Sequence, residues 1–280
     1  MPDSNCFCFC SEREKIANLL LLLLLAVAPA ALLLKYILVR GKYKREPMRL
    51  IAVTFLLGGL GIIPVTMVEL LLHSPNIIIN AFIATAAVEE CVKYLAVRAK
   101  AYDSPNLSET MDGIVYGVAA GLGFATVENV LYVFGFGTIS TAMVRAFLSV
   151  PSHAAYAGIM GFYLGIAKTH GRGVSRKEER TLIIMGLLMA IVLHGLYDTI
   201  AFTLEGAAAL AGLLVMTSIS WGILLRLLKN AISLSPIRWG PAEAAVPLYE
   251  QTYPYRFCTQ CGIHRELGAR FCVNCGHEFA

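Results

Sequence analysis

The sequence predicts an all-α polytopic membrane protein, a bundle of about seven transmembrane helices followed by a small cysteine-rich module. Three observations carry that reading. Of 280 residues, 57% are hydrophobic and only 15% charged, whereas a soluble globular domain carries about 25% charge. Apolar runs recur along the chain, each near or above the roughly 20 residues that cross a bilayer as a helix. Lys and Arg gather in alternate connecting segments, the pattern expected when basic loops stay in the cytosol. The net charge of +4 adds little; its placement matters more.

Residues 1–15 form a short polar tail holding Cys6, Cys8 and Cys10. The first apolar run covers 16–39. Within it Ala28-Pro29-Ala30 resembles a signal-peptidase site. Cleavage there would export the basic loop that follows, with Arg40, Lys42, Lys44, Arg45 and Arg49, while the tail offers only Arg13 and Lys15. The run therefore reads as an uncleaved span with the N-terminus outside. Further spans follow at 50–72, 77–99, 112–134, 139–167, 181–203 and 207–228. Lys168, Arg172, Arg176, Lys177 and Arg180 crowd a second basic loop, and the loops 73–76, 135–138 and 204–206 hold no Lys or Arg. Seven crossings place the C-terminus in the cytosol of a multi-pass cell-membrane protein. The chain thus divides into the tail 1–15, a transmembrane domain 16–230, a linker 231–257 containing Pro236, Pro241, Pro247 and Pro254, and a module 258–280. Gly113, Gly117 and Gly121 repeat at every fourth position, as do Gly161 and Gly165, a spacing that lets membrane helices touch backbone to backbone.

Ionisable residues deep in apolar runs carry the functional signal. A charge at the bilayer centre costs about 2.5–3.5 kcal/mol or more, yet the third span holds Glu89, Glu90 and Lys93, the fourth Glu128, the fifth His153, and the sixth His194 and Asp198. On a helix Glu89 and Glu90 stand one turn from Lys93, and His194 shares a side with Asp198. At about 1.5 Å per residue, Glu89, Glu90, His153 and His194 fall at one depth, with Glu128 and Asp198 a turn or two nearer the outer face. Two histidines and a carboxylate can hold a divalent metal with a position left for water, while a second carboxylate moves the proton to a leaving amine. Alternatively a glutamate helped by histidine activates water directly. Each residue also has a plainer reading: an ion pair joining helices for the glutamates, a backbone carbonyl for His194, freed backbone groups beside Pro151 for His153. Glu69 and Arg145 read as interfacial, and Tyr116, Tyr132 and Tyr156 as packing. Rival classes are a proton- or ion-coupled transporter, against which no internal repeat is visible, and a noncatalytic scaffold.

The motifs resolve this further. Glu89-Glu90-Cys91-Val92-Lys93 reads as EExxK, Phe124 to Asn129 as FxxxEN after Asp112-Gly113 and Gly121-Leu122-Gly123, and His194 to Asp198 as HGxxD. In this order, with His153 between, the set resembles the PrsW family of intramembrane proteases, distant relatives of the CAAX prenyl proteases and bacteriocin-processing enzymes. The resemblance spans roughly residues 50–230. It implies that Glu89 and Glu90 include the catalytic carboxylate, that Glu128, His153 and His194 complete the site, and that Asp198 supports it. It also implies a membrane-anchored protein substrate such as an anti-sigma factor. For metal chemistry, Glu128, His153 and His194 are the expected ligands, with Zn²⁺ the expected ion.

The C-terminal module is an addition to that pattern. Arg256-Phe257-Cys258-Thr259-Gln260-Cys261-Gly262 is echoed by Arg270-Phe271-Cys272-Val273-Asn274-Cys275-Gly276. Two CxxCG turns predict a zinc ribbon with Cys258, Cys261, Cys272 and Cys275 around a structural Zn²⁺. So short a domain depends on the metal to fold. A cytosolic location keeps its thiols reduced and suits docking of a cytosolic partner; Arg256, Arg265 and Arg270 are too few to argue for nucleic acid.

Overall fold

The computed structural model describes residues 4–41, 46–136, 138–170, 175–235, 255–257 and 264–266. Among them seven long helices follow one another: α1 (Ser4–Arg40), α2 (Met48–Leu72, interrupted at Gly61), α3 (residues 77–102), α4 (Thr110–Phe136), α5 (residues 139–170), α6 (Arg176–Thr203) and α7 (Gly206–Ser233). The six spans expected after residue 49 coincide with α2 to α7. The first helix differs, beginning at Ser4 inside the expected tail; no Gly or Pro between there and the apolar run interrupts it.

Five of the seven are long and apolar enough to cross a membrane by length and composition. The two that fall short are α3 and α5, which carry Glu89, Glu90, Lys93, Arg145 and His153. Both also contain a π-helical stretch, Asn80–Ala87 in α3 and Arg145–Ser149 in α5. Each returns to α geometry at a valine, Val88 or Val150, just ahead of the polar residues. Such widened turns commonly sit at functional positions.

The centre of the bundle is α4, whose most apolar stretch is 72% buried, against 17% for α1 and 22% for α7. Glycines explain how neighbours come so near. A Cβ at Gly113 or Gly117 would run into the backbone oxygens of Gly161 or Ala157 on α5, and one at Gly121 would lie 2.7 Å from the His153 oxygen. On another side of α4, a Cβ at Gly123 would overlap the Phe55 carbonyl of α2. Backbone contact of this kind replaces the hydrophobic drive that lipid removes. Large apolar side chains on the outer helices, such as Leu20, Leu71 and Val215, stay exposed, as a lipid-facing surface requires. Polar caps fix the ends: Asp112 accepts from the Ser108 and Glu109 amides (2.9 and 2.8 Å) ahead of α4. Ser175 and Glu178 make a reciprocal capping box at the start of α6, and the Tyr102 hydroxyl donates to Glu179 at 2.7 Å.

A second unit begins at Ser235. It contains two short strands, β1 (Tyr255–Phe257) and β2 (His264–Glu266), paired antiparallel with Arg256 opposite Arg265. The expected zinc ligands Cys258, Cys261, Cys272 and Cys275 lie outside the described residues.

Candidate active site

All six acid and imidazole residues singled out in the sequence meet in one buried cluster. From α3 come Glu89, Glu90 and Lys93; their spacing puts both carboxylates one turn from the ammonium. Lys93 Nζ lies 3.0 Å from Glu89 Oε2 and 2.7 Å from Glu90 Oε1. Its third contact is His153 Nδ1 of α5, at 2.8 Å. Beneath it the Phe124 ring of α4 presents its face, 4.5 Å from the ammonium. Lys93 is fully buried and keeps four groups on three helices in register.

Donor and acceptor chemistry then fixes the imidazoles. An ammonium only donates, so His153 Nδ1 must accept and the ring proton sits on Nε2. That nitrogen lies 3.0 Å from Glu128 Oε2 of α4, a carboxylate able to receive it. His194 of α6 is oriented the other way: Nδ1 lies 2.8 Å from Glu90 Oε1 and donates to it. Its Nε2 faces Asp198 Oδ2 at 3.4 Å and Glu89 Oε2 at 3.9 Å. His194 Nε2 and Asp198, which Lys93 does not contact, therefore form one side of the cluster with Glu89.

The surroundings hold these groups still. Tyr156 stacks on His194 with ring centroids 5.2 Å apart and planes inclined at 23°, in keeping with a packing role. Arg145 departs from expectation. Read from the sequence as interfacial, it turns inward, with Nη2 2.8 Å from Glu128 Oε2 and Nε donating to Asn129 Oδ1 at 2.7 Å. A carboxylate at that depth needs a cation, and Arg145 supplies it from the π-helical turn of α5. The reading of His153 as a partner for freed backbone groups is likewise overturned, since both its nitrogens face side chains. Helix α7 braces this segment of α5: Trp221 Nε1 donates to the Pro151 carbonyl at 3.0 Å, and Thr217 and Ser152 hydroxyls meet at 2.9 Å. Nothing in the sequence signalled the tryptophan contact, since its acceptor is a backbone carbonyl on another helix.

Glu89, Glu90, His153 and His194 each offer an atom such that all four lie within 4.8 Å of one another. Two imidazoles and two carboxylates are a donor set that suits a divalent ion such as zinc. Glu128, expected as a ligand, is not one of the four; its Oε2 lies 2.8 Å from Arg145 Nη2 and 3.0 Å from His153 Nε2.

A polytopic helical bundle that gathers acids and imidazoles from four helices into one buried cluster has the make-up of a membrane-embedded hydrolase. Comparison with known proteins makes this specific: the model of the PrsW family intramembrane metalloprotease matches residues 46–223. The chain belongs to the PrsW family and is an intramembrane protease, which removes the transporter and the noncatalytic scaffold as readings. It is 36% identical over 208 residues to Protease PrsW of Geobacillus kaustophilus (strain HTA426), covering 73% of this chain and 89% of that one. It is 35% identical over 182 residues to Protease PrsW of Bacillus subtilis (strain 168), covering 64% and 81%. Protease PrsW of Oceanobacillus iheyensis is 37% identical over 211 residues, covering 73% and 93%. No solved structure matches the chain.

Proposed function

We propose that this protein hydrolyses a peptide bond in or near the membrane segment of a membrane-anchored regulatory protein of the anti-sigma-factor kind. The observation that carries the proposed site is the convergence of Glu89 Oε2, His194 Nε2 and Asp198 Oδ2, 3.4 to 3.9 Å apart about the imidazole nitrogen. Glu89 takes a proton from water held in that corner and passes it to the departing amine as the carbon–oxygen bond forms and the carbon–nitrogen bond breaks. His194, anchored through Nδ1 on Glu90, holds the water by its Nε2 lone pair. Glu90 is the positioning carboxylate: fully buried, it bonds both Lys93 and His194 through one oxygen. Glu128 orients His153 through Nε2, and Asp198, 3.4 Å from His194 Nε2, supports the site as a second acceptor for the protons of that water.

Glu90, His153 and His194 would hold a divalent ion, Zn²⁺ by donor type, leaving Glu89 to move protons. Such an ion supplies Lewis-acid polarisation of the scissile carbonyl and a more acidic water. The basic loops support an N-terminus outside and a C-terminus in the cytosol. There, Cys258, Cys261, Cys272 and Cys275 hold a structural Zn²⁺ in a ribbon that docks a cytosolic partner. Strands β1 and β2 support that ribbon, because they bracket the first CxxCG turn in sequence.

The test is Glu89→Gln in cells carrying tagged candidate substrates with single membrane spans. Uncut substrate should accumulate while the enzyme's abundance and detergent-solution behaviour stay unchanged. Undiminished cleavage by that variant would remove Glu89 from the chemistry.

A further inference from the structure

We propose that Lys93 is a built-in substitute for the metal: its ammonium and a divalent ion compete for the same donor atoms, so loading the site requires Lys93 to withdraw. The inference rests on the metal reading of the site and concerns what precedes it. The three hydrogen-bonding contacts of the ammonium all come from the candidate ligand set: Glu90 Oε1 at 2.7 Å, His153 Nδ1 at 2.8 Å and Glu89 Oε2 at 3.0 Å. A metal held by Glu90 and His153 would need the same two donor atoms that the ammonium engages.

Lone pairs give the stronger reason. His153 has one, and it lies on Nδ1, facing Lys93. Its other nitrogen carries the proton directed at Glu128, 3.0 Å away. While Lys93 holds its place, His153 has nothing to offer a metal. His153 becomes a ligand only when the ammonium leaves, or when the ring gives up Glu128 as well. His194 is not restricted in this way, since its Nε2 faces Glu89 and Asp198 and not the ammonium.

The arrangement also accounts for a lysine buried completely among acids. Two adjacent buried carboxylates without a cation would repel each other and face a large desolvation cost. Lys93 neutralises them before any metal arrives and keeps α3, α4 and α5 assembled in the metal-free protein.

Purified full-length chain carrying Cys258→Ser, Cys261→Ser, Cys272→Ser and Cys275→Ser, so that only the core can respond, is titrated with Co²⁺ and followed by visible absorption. Adding Lys93→Met, which keeps the length and removes the charge, should tighten Co²⁺ binding by about tenfold or more, since a like charge a few ångströms away is gone. Lys93→Arg should not tighten it. With chelator present, Lys93→Met should melt below its parent and recover on adding Zn²⁺. If the variant accumulates only when cells are grown with added zinc, that too supports competition; failure of zinc to rescue it overturns the proposal. Equal or weaker Co²⁺ binding by Lys93→Met overturns the role of Lys93 and leaves the metal reading standing. No core binding by either protein overturns both, and substrate cleavage by the metal-free parent then separates that result from failure of the protease assignment.

Discussion

Helices α3 and α7 cross the same bundle under opposite rules. The last helix, α7, is apolar along its length, only 22% buried over its most apolar stretch, and carries its basic residues near one end. By contrast α3 holds two carboxylates and an ammonium in its middle, all buried, and fails the length-and-apolarity criterion for a span. The difference teaches that a membrane helix tolerates charge only where other helices shield it and complete its ion pairs. The cluster draws on both kinds of helix: α3 and α5 bring Glu89, Glu90, Lys93 and His153, while the clearly apolar α4 and α6 bring Glu128, His194 and Asp198.

Four substitutions test that contrast. Glu89→Gln, on the shielded side, should lower cleavage by about 10²–10⁴-fold, the usual contribution of an acid–base group, with melting little changed. Arg145→Met strands Glu128 and should cost about 3–5 kcal/mol of stability, read as a lower melting temperature in detergent; an unchanged melt would show that the Arg145–Glu128 pair is not closed. Trp221→Phe keeps the ring and removes one hydrogen bond, so about 1 kcal/mol is expected. Because the lost bond lies two residues before His153, turnover should fall more than KM rises. On the lipid side, Val215→Ala should stay within about 0.5 kcal/mol, because lipid packs against a smaller side chain at little cost. A large loss at Val215 would mean that this face is covered by protein.

Much of this was legible in the sequence, for definite reasons. Apolar run length located α2 to α7, because crossing a bilayer sets a minimum length. The cost of charge in lipid marked Glu89, Glu90, Glu128, His153, His194 and Asp198, and all six converge. What escaped were pairings that depend on helix rotation. Arg145 sits near the start of its run, where depth alone suggests an interface, and only the π-helical turn aims it at Glu128. Trp221 could not be told from a lipid-facing ring, since its partner is a backbone carbonyl 70 residues away. The nearness of Glu128 to Arg145 and His153 appears only in three dimensions. The breadth of the turns in α3 and α5 has no signature in residue type at all.

The glycine seams on two sides of α4 set where this enzyme can yield. With backbone against backbone toward both α2 and α5, α4 acts as a keel and cannot roll or bend aside for an incoming polypeptide. Slack lies instead in the part of α2 beyond Gly61, Ile62–Leu72, which buries only Val65. The arm, held by few buried contacts, is freer to shift than the spine.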